Sequence, residues 1–254
     1  KKILTSMTQA ILLSIGLLIS LGAGLAIGYV GGLVKDQPVL TQKEIKEQIN
    51  NISKNSEVYF GSGEKLGTIN SELIRKTVTY ENIGDNVKNA IIASEDSNFY
   101  SNSGIDIWAV LRATHSEATG ARSTGGSTIT QQLVKNQLLD NSRSYERKAK
   151  EILLALRVDS HFSKNEILEN YLNVAPFGKN SLGQNISGIE TAAQGVFGVH
   201  SKDLNIAQAA YLVGFVQSPY TYTPFDSAGN IRPDEELQAG FERQQYVLER
   251  MLSN

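Results

Sequence analysis

Two adjacent carboxylates, Glu95 and Asp96, close an apolar segment that begins at Ile91. Such a stripe draws the acids at its end toward the core. A carboxylate in partly apolar surroundings has a raised pKa, which suits a general base or acid near neutral pH. The residues alone leave a second reading open, a pair of acids at a helix end accepting backbone hydrogen bonds. Another acid, Glu151, follows Arg147 and Lys148 at helical i+4 and i+3 spacing. At about 100° per residue these three share one face, while Ala149, Ile152, Leu153 and Leu156 point almost the opposite way. This predicts one acid and two cations turned away from the core, and by themselves they read as a solvated face of i, i+3 and i, i+4 ion pairs.

Between the two acidic segments runs Gly125-Gly126-Ser127-Thr128-Ile129-Thr130-Gln131-Gln132-Leu133-Val134-Lys135. Glycines followed by Ser and Thr predict a loop feeding a capped helix, whose free N–H groups and positive dipole end suit an anion. Lys135, and Arg143 beyond the helix, could add charge for a phosphate-bearing ligand. An ordinary capped helix with a solvated Lys is the plain alternative. No Gly-Lys-Ser/Thr follows, so this is not a Walker loop.

The elements that must position these residues are mostly helical. Val87, Ala90 and Ile91 fall at i, i+3, i+4, as do Ile107, Val110 and Leu111. Ile167, Leu168, Tyr171 and Leu172 form another stripe, with Ser163 as its N-cap and Glu166 and Glu169 free to be exposed. Ile189, Ala192, Ala193, Val196 and Phe197 repeat the period, and so do Ile206, Ala209, Ala210 and Val213. Upstream, Val58-Tyr59-Phe60, a Gly61-Ser62-Gly63 turn signal and Leu66-Gly67-Thr68-Ile69 predict a β-hairpin, with a further β-prone stretch at Thr77–Tyr80. Residues 119–126 read as a mobile loop.

At 254 residues and 41% hydrophobic, the chain can bury one substantial core. A net charge of −2 points to no nucleic-acid partner. It has no cysteine, which excludes disulfides and thiolate metal sites. From Ala10 to Val34 there is no charged residue. A membrane-spanning helix needs about 20 apolar residues, so residues 10–34 are predicted to span as a retained anchor, longer than a signal-peptide core. Lys1 and Lys2 favour a cytoplasmic N-terminus, which places everything after Lys35 outside the cytoplasm. Residues 35–80 are predicted to form a juxtamembrane linker and hairpin, and residues 81–254 the catalytic domain.

In order and wording the set closely resembles the peptidoglycan glycosyltransferase family (glycosyltransferase family 51), found in class A penicillin-binding proteins and monofunctional transglycosylases. Five motifs carry the resemblance: Glu95-Asp96-x-x-Phe99, Gly126-Ser127-Thr128-Ile129-Thr130-Gln131-Gln132-Leu133, Arg147-Lys148-x-x-Glu151, Lys164-x-x-Ile167-x-Glu169-x-Tyr171-Leu172-Asn173, and Ala209-Ala210-Tyr211-Leu212. One departure is visible, Asn102 where the family often has His, and it bears on the local turn.

The resemblance implies a mostly α, lysozyme-like two-lobed domain at the membrane, with an N-terminal transmembrane helix and a small β-hairpin linker. It implies a bacterial cell-membrane location, single-pass and extracytoplasmic, and polymerisation of lipid II into β-1,4-linked glycan strands with release of undecaprenyl pyrophosphate. Glu95 matches the general base and Glu151 the second essential acid. Lys135 and Arg143 match positions that meet the pyrophosphate, with Arg147 and Lys148 as supports, and Ser127, Gln131 and Gln132 would line the donor side. Mg²⁺ or Mn²⁺ is the metal the family leaves room for at the pyrophosphate, with no organic cofactor. Implied partners are lipid II, the growing glycan, membrane lipid, the inhibitor moenomycin, and cell-wall synthesis or division proteins. The hairpin region looks like the linker of a bifunctional class A protein. Ser62-Gly63-Glu64-Lys65 fits Ser-x-x-Lys, but it sits in a turn signal and no Lys-Thr-Gly occurs. The competing readings are a lysozyme-like glycan-cleaving enzyme and a catalytically silent scaffold.

Overall fold

The computed structural model describes residues 2–35, 40–52, 57–62, 64–68, 73–109, 112, 126–140, 142 and 144–253. Val110, Leu111, the expected loop at 119–125 and Arg143 lie outside them.

The charge-free N-terminal stretch lies within one helix, α1 (Lys2–Val34). Its described side chains come in short runs, the longest being Ile11–Leu18. Among the described residues no helix is long and apolar enough to cross a membrane. The helix α2 (Gln42–Asn50) follows, closed by a Thr41–Glu44 capping box and anchored by buried Ile45 and Ile49. The expected hairpin forms from β1 (Glu57–Tyr59) and β2 (Lys65–Thr68), antiparallel with Glu57 opposite Thr68.

The β-prone Thr77–Tyr80 stretch makes no strand. The strand is β3 (Leu73–Arg75) instead, parallel to β5 (Asn185–Ser187), which in turn pairs antiparallel with β4 (Pro176–Lys179). Residues 76–79 belong to no strand and Tyr80 opens a 3-10 turn; side chains take the place of a neighbouring strand here. Lys76 N–H donates to Thr191 Oγ1 at 2.7 Å, and Tyr80 N–H to Glu169 Oε2 at 2.8 Å. Between them Asn173 acts as a peptide mimic: Oδ1 accepts from Val78 N–H at 2.9 Å and Nδ2 donates to Val78 O at 2.8 Å. Glu169 is therefore a docking group, correcting the expectation of an exposed acid. Glu166, the other acid, completes the capping box of Ser163.

Helix α3 (Asp85–Glu95) buries Val87, Ala90 and Ile91 as its period requires. Helix α4 (Ile129–Leu138) is followed by α5 (Tyr145–His161), α6 (Lys164–Val174), α7 (Ile189–Phe197), α8 (Ile206–Phe215), the short α9 (Pro219–Tyr222) and α10 (Asp234–Ser253). In one group α3, α8 and α10 pack on one another, and in the other α4 lies against α5, α6 and α2. One hydrophobic cluster runs through both, from Ile45 to Val247.

Three helical expectations are corrected. Ile206, at the start of α8, is 53% exposed while Ala209, Ala210 and Val213 are buried. Ile107 does not join a core stripe: it and Trp108 are 63% and 73% exposed. On α5 the expected stripe is buried only at Ala149. Glu151, Ala155 and Val158 are buried on the other side, while Leu153 and Leu156 are partly exposed. A helical wheel shows which residues share a face, but not which face meets the core. Here Glu151 turns inward because it finds donors there, as described below.

Docking of residues 76–80 rests most heavily on Asn173, whose removal strands both polar groups of Val78. Asn173→Ala should lower unfolding stability by about 2 kcal/mol, the scale of a lost hydrogen bond plus unpaired buried groups. Denaturant unfolding of the folded domain would show it, and an unchanged midpoint would mean water replaces the amide without cost.

Candidate active site

Glu95 is the last residue of α3 and lines a cavity of about 740 Å³. Its neighbours there include Ser127, Gln132, Arg243, Tyr246 and Arg250. The carboxylate is 13% exposed, and each oxygen has one donor. Gln132 Nε2 reaches Oε2 at 3.0 Å, and Arg243 Nη2 reaches Oε1 at 2.9 Å. An ionised carboxylate has roughly four lone-pair sites, so two donors leave capacity for a proton. Burial raises the Glu95 pKa above the ordinary glutamate range, and Gln132, Arg243 and Lys135 pull against that rise.

Asp96 has a different task. Its Oδ2 accepts from Ile129 N–H at 3.1 Å, and Asn102 Nδ2 donates to Oδ1 and Oδ2 at 3.0 and 3.1 Å. Thr128, the N-cap of α4, forms a capping box with Gln131. The anion expected at this helix end is thus the protein's own Asp96. Asn102 explains why the turn survives without His. Its amide donates to Asp96 while Oδ1 accepts from Gly104 N–H at 3.0 Å and Lys164 Nζ at 3.2 Å. A carboxamide carries donor and acceptor together whatever the pH.

Glu151 is 3% exposed and held by three donors. Arg147 Nη1 donates to Oε2 at 3.2 Å, Gln131 Nε2 donates to Oε1 at 3.3 Å, and Lys148 Nζ pairs with Oε1. Lys148 also donates to Ser127 Oγ at 3.0 Å. Through these contacts Glu151 ties α5 to α4 and to the loop before it. Gln131 is fully buried by this work, which corrects its expected place on the donor surface. Ser127 and Gln132 do line the cavity, whereas Lys135 is exposed on α4. Among the described residues no group of three or more His, Cys, Asp or Glu could hold a metal. A divalent ion on Glu151 would have to displace Lys148, so these residues do not fit a protein-held metal.

Arg243 is absent from the five motifs and from the sequence reading, because α10 itself was not predicted. Its signals were present: Pro233 before the start, Asp234, Glu235 and Glu236 in the first turn, and Leu237, Gly240, Phe241, Val247, Leu248 and Met251 at helical spacing. Arg243 runs over Gly214 of α8, where an added Cβ would meet its Cγ at 3.1 Å. Its guanidinium carbon sits 4.4 Å from the centroid of the Tyr246 ring.

Because Arg243 lowers the Glu95 pKa, Arg243→Gln should move titration of Glu95 to higher pH. A carboxyl-resolved NMR titration checks this, and an unmoved or lowered midpoint would show that the pair is electrostatically idle.

The family model described as Transglycosylase matches residues 62–252. Penicillin-binding protein 1A of Clostridium perfringens strain 13 is 37% identical over 227 residues, covering 87% of this chain and 32% of that protein. Penicillin-binding protein 1A of Aquifex aeolicus is 41% identical over 198 residues, covering 78% and 25%. Penicillin-binding protein 2a of Streptococcus pneumoniae strain D39 is 37% identical over 212 residues, covering 83% and 27%. The chain thus spans about a quarter to a third of the length of these relatives. A crystal structure of penicillin-binding protein 1A from Haemophilus influenzae aligns with a TM-score of 0.40 at 19% identity, covering 80% of this chain and 19% of that one. With the family match running from the hairpin to the end of α10, the chain belongs to the transglycosylase family, the one its five motifs resemble.

Proposed function

We propose that this chain is a peptidoglycan glycosyltransferase that polymerises lipid II. Glu95 takes the proton of the acceptor's N-acetylglucosamine 4-hydroxyl as that oxygen attacks C1 of the donor's N-acetylmuramic acid. The C1–O bond to undecaprenyl pyrophosphate breaks, and inversion leaves a β-1,4 link. The observation that carries this reading is the carboxylate of Glu95, partly desolvated at the wall of a large cavity and held by one donor on each oxygen. The leaving pyrophosphate is already anionic, so it needs cations more than a proton donor. Lys135, Lys148 and Arg143 are proposed for that role, with Glu151 orienting Arg147 and Lys148. Moenomycin, a phosphoglycolipid, is proposed to compete for the same cations.

A glycan-cleaving enzyme of the usual two-carboxylate kind needs a second acid free to act across the bond. Here Glu151 is buried and held by three donors, and Asp96 is bound by Asn102 and Ile129. That favours transfer over hydrolysis, and the tuned acid speaks against a silent scaffold.

The domain is further proposed to be a lysozyme-like, two-lobed fold on the outer face of a bacterial membrane, tethered by residues 10–34. In support, α1 is a single helix whose Leu12, Leu13, Leu17, Leu18, Leu21 and Leu25 are all exposed, an apolar surface suited to lipid.

Glu95→Gln keeps the shape and loses the base. It should fold and bind lipid II while turnover falls about 10²–10⁴-fold, the usual scale of general-base catalysis. Sizing the polymer formed from lipid II reads this out, and retention of more than a third of the rate, roughly threefold loss or less, would remove Glu95 from that role. Deleting residues 1–34 should leave a folded domain that polymerises lipid II in vesicles more slowly, because tethering raises effective concentration. Equal vesicle rates would limit the helix to localisation.

A further inference from the structure

Two hydrogen bonds run in series behind Glu95. The Tyr171 hydroxyl donates to Gln132 Oε1 at 2.9 Å, and Gln132 Nε2 donates to Glu95 Oε2 at 3.0 Å. A carboxamide has two unlike ends. With its NH₂ toward a carboxylate it attracts, and with its oxygen there it repels. Which end Gln132 offers to Glu95 is therefore decided by whatever holds the other end.

Tyr171 holds it, and can do so in only one sense. Its side chain is fully buried on α6, among the largest in the core. Burial and the nearby carboxylates of Glu95 and Asp96 push its phenol pKa well above the ordinary value, so the O–H stays protonated. That buried proton needs an acceptor, and Gln132 Oε1 provides one.

We propose that Tyr171 is a positioning residue for the base: by donating to Gln132 it locks the amide with NH₂ toward Glu95, keeping that carboxylate ionised and aimed into the cavity. This rests on the reading of Glu95 as the general base. Tyr171 is not itself among the residues lining the cavity, and its hydroxyl bonds Gln132 rather than Glu95, so it acts through Gln132. The other charged groups acting on Glu95 are Arg243 from α10 and Lys135 from α4, and Tyr171→Phe alters neither side chain.

A packing role alone would be filled equally well by Phe, so Tyr171→Phe separates the two explanations. The full chain is assayed for lipid II polymerisation across pH as wild type, Tyr171→Phe, Gln132→Met and the double variant. Tyr171→Phe should fold normally and lower kcat about tenfold with KM nearly unchanged, the scale of a hydrogen bond to a charged group. Losing the fixed donor makes Glu95 easier to protonate, so the acidic limb of the profile should move to higher pH. In the Gln132→Met background, Tyr171→Phe should cost nothing further, because its only route to the base has gone. Independent, multiplying losses in the double variant would overturn the proposal, as would an unmoved acidic limb in Tyr171→Phe.

Should Tyr171→Phe fail to fold, Gln132→Met carries the test. It removes the amide that links Tyr171 to Glu95 without adding a charge, so the acidic limb must rise above that of the wild type. No rise would overturn the proposal. Glu95→Gln assayed alongside separates the two failures: if it retains turnover, the base assignment falls, and if it is inactive while the other effects multiply, only the positioning role falls.

Discussion

Three carboxylates are drawn out of bulk water around one short helix, and each must be given donors there. Asp96 caps the N-terminal end of α4 through Ile129 N–H, Glu151 is held by Gln131, and Glu95 by Gln132. An uncompensated buried charge is strongly unfavourable, so the partners of these acids are as constrained as the acids themselves. This accounts for Gln131 and Gln132, which bond the acids, and for Ser127, which holds the Lys148 paired with Glu151. Adjacent glutamines point about 100° apart on a helix, so α4 can serve acids arriving from α5 on one side and α3 on the other.

The three acids differ in what remains unused. Glu151 has three donors from two helices, and Asp96 is closed by an amide and a peptide N–H. Glu95 alone combines a position on the cavity wall with a single donor per oxygen. Its carboxylate is desolvated enough to bind a proton more readily than in water, yet paired enough to ionise. Placing the site where α3, α4 and α10 meet ties its chemistry to packing between helices far apart in sequence. Gly214 is one such tie, since α8 must stay smooth there for Arg243 to pass.

The fourth motif serves a different end. Glu169 and Asn173 grip the backbone of residues 78–80, and Tyr171 between them points the other way to Gln132. One helix thereby docks the segment entering the domain on one face and reaches the base on another, at the 3.6-residue period that separates the two tasks.

Much of this was legible in the residues. Periodicity located α3, α6, α7 and α8, since apolar side chains at i, i+3, i+4 have no other economical burial, and Ser163 and Thr128 announced their caps through local bonds that need no distant partner. The acids and cations of the motifs were likewise visible as types and spacings. What tertiary structure alone decided was orientation and partnership. It turned Glu151 of α5 inward, because Gln131 waits there to satisfy it and Ser127 holds its partner Lys148. It spent the N-terminus of α4 on Asp96, and it brought Arg243 from a helix more than a hundred residues downstream onto Glu95. Spacing along a chain encodes which side chains share a face; which of them leave water, and against whom, depends on elements that meet only when the fold closes.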